Sequence, residues 1–373
     1  MGNNRVGGEV SSIRAIASNL LSMMVSLLVL AILLELGLRA VYFSADPRVL
    51  VYPPVANGIN GLQDSDFDSE IPPGEFRILA LGASAFITRN FQPQMQALLN
   101  ENPLFAEQDL KVRLVSAGIP AHMTYDSLWK YRYWYDGYDF DLVMFYHGIN
   151  DARANNYPRD VFRDDYTQFS YYHRFQPAFD WIEQHPRLSR SFLVSWVMKL
   201  SLGAETIFAP EFEREAPYNN PLDDPWRAEA GDLKTPPVFA RNVEAVMELA
   251  AEREDPLLLL TYTYYVPKGY SNERFLAGEL DYSFAEESVA TEVWGWSHHV
   301  QAAIEAHDGV IRKIAAEHPE VLFFDMERFM PKDGEHFIDI CHWTDLGQAK
   351  FAEGLVKTLK SKPEIVQRAV DRR

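Results

Sequence analysis

The chain has 373 residues, 47% of them hydrophobic and 24% charged, with a formal net charge of −18. That length and apolar content allow one large domain or two small ones with cores of their own, and the acidic balance excludes nucleic acid and anionic lipid headgroups as partners of the main domain. With Cys341 as its single cysteine, the chain cannot form an intrachain disulfide, and cysteine usage says little about compartment.

The first element in chain order is apolar. From Ala15 to Leu34, 20 residues carry no charge, bounded by Arg14 and Glu35; at about 1.5 Å per residue this run spans about 30 Å of hydrocarbon. It exceeds the apolar core of a secretory signal peptide and no small-residue cleavage site follows it, so an uncleaved signal anchor is expected over residues 1–43. Arg5 and Arg14 before the run and Arg39 and Arg48 after it leave the charge rule for orientation undecided. The short N-terminal flank favours a cytoplasmic N-terminus, hence a single-pass membrane protein whose main domain is periplasmic or at the cell surface. Ser18, Ser22 and Ser26 share one face, a spacing that lets two helices approach as a homodimer, although serines are also simply tolerated in membrane helices. Residues 44–75 read as a tether that holds the domain off the bilayer, with Pro47, Pro53, Pro54, Pro72 and Pro73 and the acidic cluster Asp64, Asp66, Asp68 and Glu70.

Residues 76–360 carry the folded domain. Short apolar runs at 76–82, 112–118, 141–148, 256–265 and 321–326 are rich in branched and aromatic residues and read as buried parallel strands. Amphipathic helical stretches separate and follow them, at 92–100, 123–135, 238–253, 298–317 and about 345–360. This alternation predicts a doubly wound, flavodoxin-like, three-layer αβα sandwich around a five-stranded parallel sheet. An insertion at about 152–237 is too long for an ordinary loop. Its first half holds Tyr157, Tyr166, Phe169, Tyr171, Tyr172, Phe175, Phe179 and Trp181, and residues 189–202 are apolar enough for a short helix. A lid or side wall over a cleft is one reading; burial of these aromatics against the core is the better one for most of them. The basic tail 361–373 reads as a solvated helix end.

Four blocks carry the chemistry: LGAS around Ser84, SAG ending at Gly118, GIND from Gly148 to Asp151, and DICH from Asp339 to His342. A hydroxyl nucleophile needs a base, a carboxylate that orients the base, and donors aimed at the developing oxyanion. Asp339 stands three positions before His342, so one tight turn can present both to a cleft. Each block alone reads equally as turn chemistry or as a structural pair. Three of the four, however, directly follow predicted strands, at the sheet end where open α/β folds build their sites.

The blocks and their order resemble the SGNH hydrolases, the GDSL esterase and lipase family. The resemblance spans roughly residues 76–358 apart from the insertion. It implies Ser84 as nucleophile, His342 as general base, Asp339 as its orienting carboxylate, and the Ser84 N–H, Gly118 N–H and Asn150 amide as oxyanion hole. The chain departs from the family at Ala83, where the usual block has aspartate. The expected activity is hydrolysis of an O-acyl ester on a carbohydrate, envelope glycan or lipid. The alternatives are an O-acyltransferase of polysaccharide biosynthesis with the same triad, and a catalytically silent anchored protein that binds glycan or a partner. No cofactor is expected. No metal is expected either, since His298 and His299 are adjacent and point apart on a helix.

Overall fold

The structure, a computed structural model, describes residues 4–41, 68–166, 180–181, 184–208 and 225–372. Most of the expected tether and five of the insertion aromatics, Phe169, Tyr171, Tyr172, Phe175 and Phe179, lie outside the described residues. The longer helices are α1 (Asn4–Val41), α2 (Phe91–Asn100), α3 (Thr124–Tyr133), α4 (Phe192–Phe208), α5 (Thr235–Glu252), α6 (Ser297–Glu317), α7 (Asp345–Lys360) and α8 (Pro363–Asp371). The strands are β1 (Glu75–Leu81), β2 (Lys111–Ser116), β3 (Leu142–Phe145), β4 (Leu257–Leu260) and β5 (Leu322–Phe324).

The chain divides into two compact units, Met1–Pro54 with Arg174–Arg214, and Val55–His173 with Glu215–Arg373. In the first, α1 contains an apolar span, Ser18–Val41, that is long enough to cross a membrane, as a signal sequence can also be. Ser18, Ser22 and Ser26 are exposed along it. The insertion helix α4 packs against α1, so this part of the insertion belongs with the N-terminal helix and not with the sheet.

The second unit is built on a five-stranded parallel sheet in the order β2-β1-β3-β4-β5. Leu79 of β1 lies opposite Val115 of β2 and Val143 of β3, so the two directions of winding diverge from β1 and β3. Strands β3 and β4, LVMF and LLLL, are buried at every position. Such runs lack alternation because helices cover both faces of a parallel sheet. Here α2, α7 and α8 pack on one side and α3, α5 and α6 on the other.

Two elements differ from expectation. The run 256–265 is a strand only to Leu260, because the backbone beyond it finds other partners. Thr263 N donates to the Tyr146 hydroxyl at 3.1 Å and Tyr265 N to Ile340 O at 2.9 Å, so these groups are satisfied outside a ladder. The basic tail is a helix end solvated on one face, with Glu364, Gln367 and Arg368 exposed, but its other face is packed. It forms α8, which buries Ile365, Val366 and Ala369, and Arg372 then makes a bidentate pair with the buried Asp141 at 2.6 and 2.7 Å. Apolar residues at that spacing give a short helix one buried face, and the arginines occupy the other.

An aromatic cluster lies beneath the carboxyl end of the sheet. Phe86 stacks on Phe91 at 4.9 Å, Tyr146 on Tyr262 at 4.5 Å and Trp343 on Phe351 at 5.3 Å, and Phe86 meets Tyr146 at 5.4 Å. Three of these residues flank the sequence blocks: Phe86 follows Ser84 by two, Tyr146 precedes Gly148 by two, and Trp343 follows His342.

Candidate active site

Strand β1 ends at Leu81 and the chain turns at Gly82. A Cβ there would fall 2.6 Å from Phe86 Cδ2 and 3.2 Å from Tyr146 O, so only glycine lets the turn close over the aromatic cluster. Ser84 opens a single 3-10 turn, Ser84–Phe86, and its carbonyl accepts from Ile87 N at 3.0 Å and Thr88 Oγ1 at 2.8 Å. The turn is thereby fixed and the hydroxyl points outward, where His342 Nε2 lies 2.8 Å from Ser84 Oγ.

The other side of that imidazole is held just as firmly. His342 Nδ1 is 2.7 Å from Asp339 Oδ2, which also accepts from Val289 N at 2.8 Å. Asp339 Oδ1 accepts from Cys341 N at 2.9 Å and His342 N at 2.8 Å. Four N–H groups therefore converge on a carboxylate with no exposed surface, which provides the compensation that a buried charge requires. Burial opposes the imidazolium of His342, yet the Asp339 carboxylate bonded to its Nδ1 acts against burial and favours the charged ring, and the pKa is raised above that of an ordinary histidine. For Cys341 itself, burial pushes the thiol above its usual range, which leaves it protonated at neutral pH.

Gly118 packs directly on the serine turn: a Cβ there would meet Ala83 O at 2.7 Å. Its N–H makes a long contact of 3.3 Å with Ser116 Oγ, while that hydroxyl donates to Phe86 O at 2.9 Å. Asn150 lies in the short helix Ile149–Arg153 that follows Gly148. Its Oδ1 accepts from Trp294 Nε1 at 2.8 Å and its Nδ2 donates to His122 O at 3.0 Å. The indole fixes which end of the amide is NH2, and one amide hydrogen remains beyond the bond to His122. At Gly148 an added Cβ would sit 2.6 Å from Tyr262 Cβ and Cγ, so the turn into that helix also admits no side chain.

Several residues behind these groups were not legible as part of the site. Trp294 belongs to none of the four blocks, and its backbone carbonyl is gripped by Asn156 Nδ2 at 2.7 Å. Lys130, fully buried on α3, donates through Nζ to Ala117 O. That carbonyl shares a peptide plane with the Gly118 N–H, so the lysine sets the direction in which the N–H points. Burial brings Lys130 down to about 7, against the opposing pull of Asp126. Asp151, the last residue of GIND, is also fully buried and accepts from Thr124 N at 3.1 Å and Thr124 Oγ1 at 2.6 Å, which ties the block to the start of α3. Burial raises it to about 7 in spite of those bonds. His307, kept neutral by burial with a pKa of about 3, links Thr235 Oγ1 at 2.7 Å to Gly148 O at 3.2 Å.

Among the described residues, Asp339, Cys341 and His342 also form a group whose ligand atoms lie within 4.8 Å of one another. A metal there would have to displace the Asp339 to His342 bond and deprotonate a thiol that burial disfavours, so the donor set fits a proton relay better than a cation. His298 and His299 have ring centroids 4.1 Å apart, and His299 Nδ1 lies 3.2 Å from Arg227 O.

No family model matches the chain, and no curated protein does. Similar solved structures are GDSL-like lipases and acetyl xylan esterases, the family that the sequence blocks resemble. They include a lipase/acylhydrolase from Enterococcus faecalis, at 14% identity over 77% of this chain and 96% of that one, with a TM-score of 0.38. A GDSL-like lipase from Bacteroides thetaiotaomicron matches at 12% identity, over 77% of this chain and 88% of that one, with a TM-score of 0.39. An acetyl-xylooligosaccharide esterase variant from Geobacillus matches at 12% identity, over 78% and 95%, with a TM-score of 0.40. At such identities and scores the functional reading rests on the geometry of the site alone.

The four donors on Asp339 make a prediction about stability. In Asp339→Asn one oxygen becomes an NH2 group and meets Val289 N–H or the Cys341 and His342 N–H pair, so at least one buried donor loses its acceptor. Thermal or denaturant unfolding of that variant is expected to show a loss of about 1–3 kcal/mol, whereas Ser84→Ala should shift stability by under about 0.5 kcal/mol. Equal stability of the two variants would show that Asp339 does not organise the loop.

Proposed function

We propose that the chain is a serine-dependent ester hydrolase of SGNH type, and the observation that carries the proposal is the unbroken relay from Ser84 Oγ through both nitrogens of His342 to Asp339, at 2.8 and 2.7 Å. A serine hydroxyl bonded to an imidazole whose far nitrogen faces a buried carboxylate is the arrangement that activates a weak nucleophile.

In the proposed reaction Ser84 Oγ attacks the ester carbonyl carbon while its proton passes to His342 Nε2. The carbonyl oxygen becomes an oxyanion, and the proposal assigns its stabilisation to the Gly118 N–H, the remaining Asn150 amide hydrogen and the Ser84 N–H. When the intermediate collapses, the bond to the alcohol oxygen breaks, and the alcohol leaves with the proton held on His342. Water then attacks the acyl-enzyme, again giving a proton to His342, and the acid departs as Ser84 recovers its proton. Asp339 remains ionised throughout and holds the imidazole in one tautomer and orientation. Lys130 and Trp294 act through the oxyanion donors: one fixes the Ala117–Gly118 peptide, the other the Asn150 amide.

The aspartate that the family places at Ala83 is not required by this relay, since the carboxylate comes from Asp339. Nothing in the geometry favours a silent site, because nucleophile and base already face each other at bonding distance. On substrate, the proposal stops at the acyl ester. Tyr157 and Tyr166 of the insertion are buried in a small cluster with Met123, Ala154 and Val238, so these two aromatics serve packing and not a sugar-binding wall. An acylated carbohydrate as substrate rests on the expected outward-facing anchor and the aromatic insertion, and not on the geometry of the site.

Two measurements test the reading. Ser84→Ala should abolish turnover of a short-chain aryl ester, by about three orders of magnitude or more, with the fold retained by circular dichroism; undiminished turnover would place the nucleophile elsewhere. The pH profile tests the base. His342 must be neutral to accept a proton, and its pKa is raised above the ordinary 6.5, so activity should be low at and below that value and rise on its alkaline side. A rising limb below pH 6.5, or a flat profile, would contradict a base paired with Asp339.

A further inference from the structure

The unit formed by Met1–Pro54 and Arg174–Arg214 contains a junction that the proposed reaction does not use. Glu35 is the first charged residue after the apolar run of α1. Its carboxylate accepts from Ser191 Oγ at 2.8 Å, Leu193 N at 2.8 Å and Phe192 N at 3.3 Å, and pairs with Arg39 Nε at 2.8 Å. The first backbone N–H groups of α4 are thus capped by a side chain of α1. Arg39 adds a bond to Arg190 O at 2.8 Å and lies 5.6 Å from the centroid of the Phe192 ring. The start of α4 is thereby tied to the last two turns of the membrane-length span.

The two faces of α4 are unlike. Phe192 and Ser195 are buried. Leu193, Trp196, Val197 and Leu200, which share a face at helical spacing, are not, and the last three are 41%, 54% and 52% exposed. The four side chains named on this face are all apolar, and the Ser201 hydroxyl turns back onto Met198 O at 2.7 Å. Beside it, Arg187 and Arg190 are exposed, and the side chain of Arg39 is 53% exposed. A chain of net charge −18 thus gathers three arginines around the junction. An exposed apolar face with a tryptophan, rimmed by arginines and tied to the end of a membrane-length helix, has the composition of a helix lying in the lipid interface.

We propose that α4 is a second membrane contact, with Leu193, Trp196, Val197 and Leu200 in the acyl region and Arg39, Arg187 and Arg190 among anionic lipid phosphates. Lipid is the occupant because α4 packs against α1, whose own apolar side chains are exposed along the membrane-length span, and because exposed arginines flank the start of α4. The inference goes beyond the ester hydrolase reading and does not depend on it, but it does rest on α1 spanning the bilayer. The insertion then serves as a membrane anchor, and the unit is held at the surface by two helices.

The test uses the full chain reconstituted into phospholipid vesicles, with single cysteines introduced as Leu200→Cys, Leu27→Cys and Leu276→Cys and labelled with an environment-sensitive fluorophore; the native Cys341 is buried. Leu276, 74% exposed in the other unit, serves as the aqueous control. The Leu200 label should lose fluorescence severalfold to lipids bearing acyl-chain nitroxides and resist iodide, while the Leu276 label behaves oppositely. Leu200 quenched by iodide as strongly as Leu276 would overturn the proposal, and so would protection from both quenchers, which would mean that protein or a second copy of the chain covers the face. The Leu27 label reports the span separately: if it escapes lipid quenching, the reading of α1 fails whatever Leu200 shows. Finally, R187Q/R190Q should abolish any preference of Leu200 quenching for phosphatidylglycerol over phosphatidylcholine vesicles; an unchanged preference would remove the arginines from the proposal.

Discussion

Ser84 and His342 are 258 positions apart, and the constraint on which the site depends is the packing that brings them to 2.8 Å. Three loops, two of them directly following β1 and β3, each plant an aromatic residue in one cluster. Phe86 fixes the serine turn, Tyr146 the approach to Gly148, and Trp343 the loop of His342, with Phe91, Tyr262 and Phe351 completing the contacts. Such rings carry large buried area and prefer a few mutual geometries, so a displacement of one loop is resisted by the others. The glycines at 82, 118 and 148 complete the arrangement by letting backbone pass where a Cβ would collide.

Above this apolar base lies a polar layer, which explains how so many buried ionisable groups coexist. Asp339 is matched by four N–H donors. Asp151 and Asp308 are pushed by burial to about 7 and 8, the first against its bonds from Thr124 and the second against a 2.6 Å bond from Tyr262 N. His147 and His307 are kept neutral chiefly by burial. Lys130 is pulled down toward neutrality in the same environment. The layer thus limits uncompensated charge partly by pairing and partly by shifting protonation. In the proposed mechanism its purpose is orientation, since oxyanion donors help only if they are already aimed when charge develops.

Much of this could be read in the sequence, for identifiable reasons. Buried parallel strands leave short runs rich in apolar residues, and three of the four blocks could be placed directly at the ends of those runs. The ends of β3 and β4 could not, because Tyr146 to Gly148 and Thr261 to Tyr265 remain apolar or branched while their backbone leaves the ladder. Trp294 and Lys130 were invisible for another reason. Their roles arise from tertiary contacts, of Trp294 with Asn150 across 144 positions and of Lys130 with Ala117 across 13, and neither residue type at its position signals such a contact. The packed face of the tail was hidden because its charges mask Ile365, Val366 and Ala369, which share a face only once the helix forms. The insertion was the least legible segment: its apolar helix shares a unit with the N-terminal helix through contacts across 156 positions, which no local pattern signals.

The central claim is that Ser84 is a nucleophile made reactive by His342. It is tested most directly by treating the full chain with a fluorophosphonate and mapping the adduct by peptide mass spectrometry. The account predicts a single phosphonylated residue, Ser84, formed in the native protein, strongly suppressed by His342→Ala and absent after denaturation. An adduct on another residue, or a Ser84 adduct that forms equally well without His342, would contradict it.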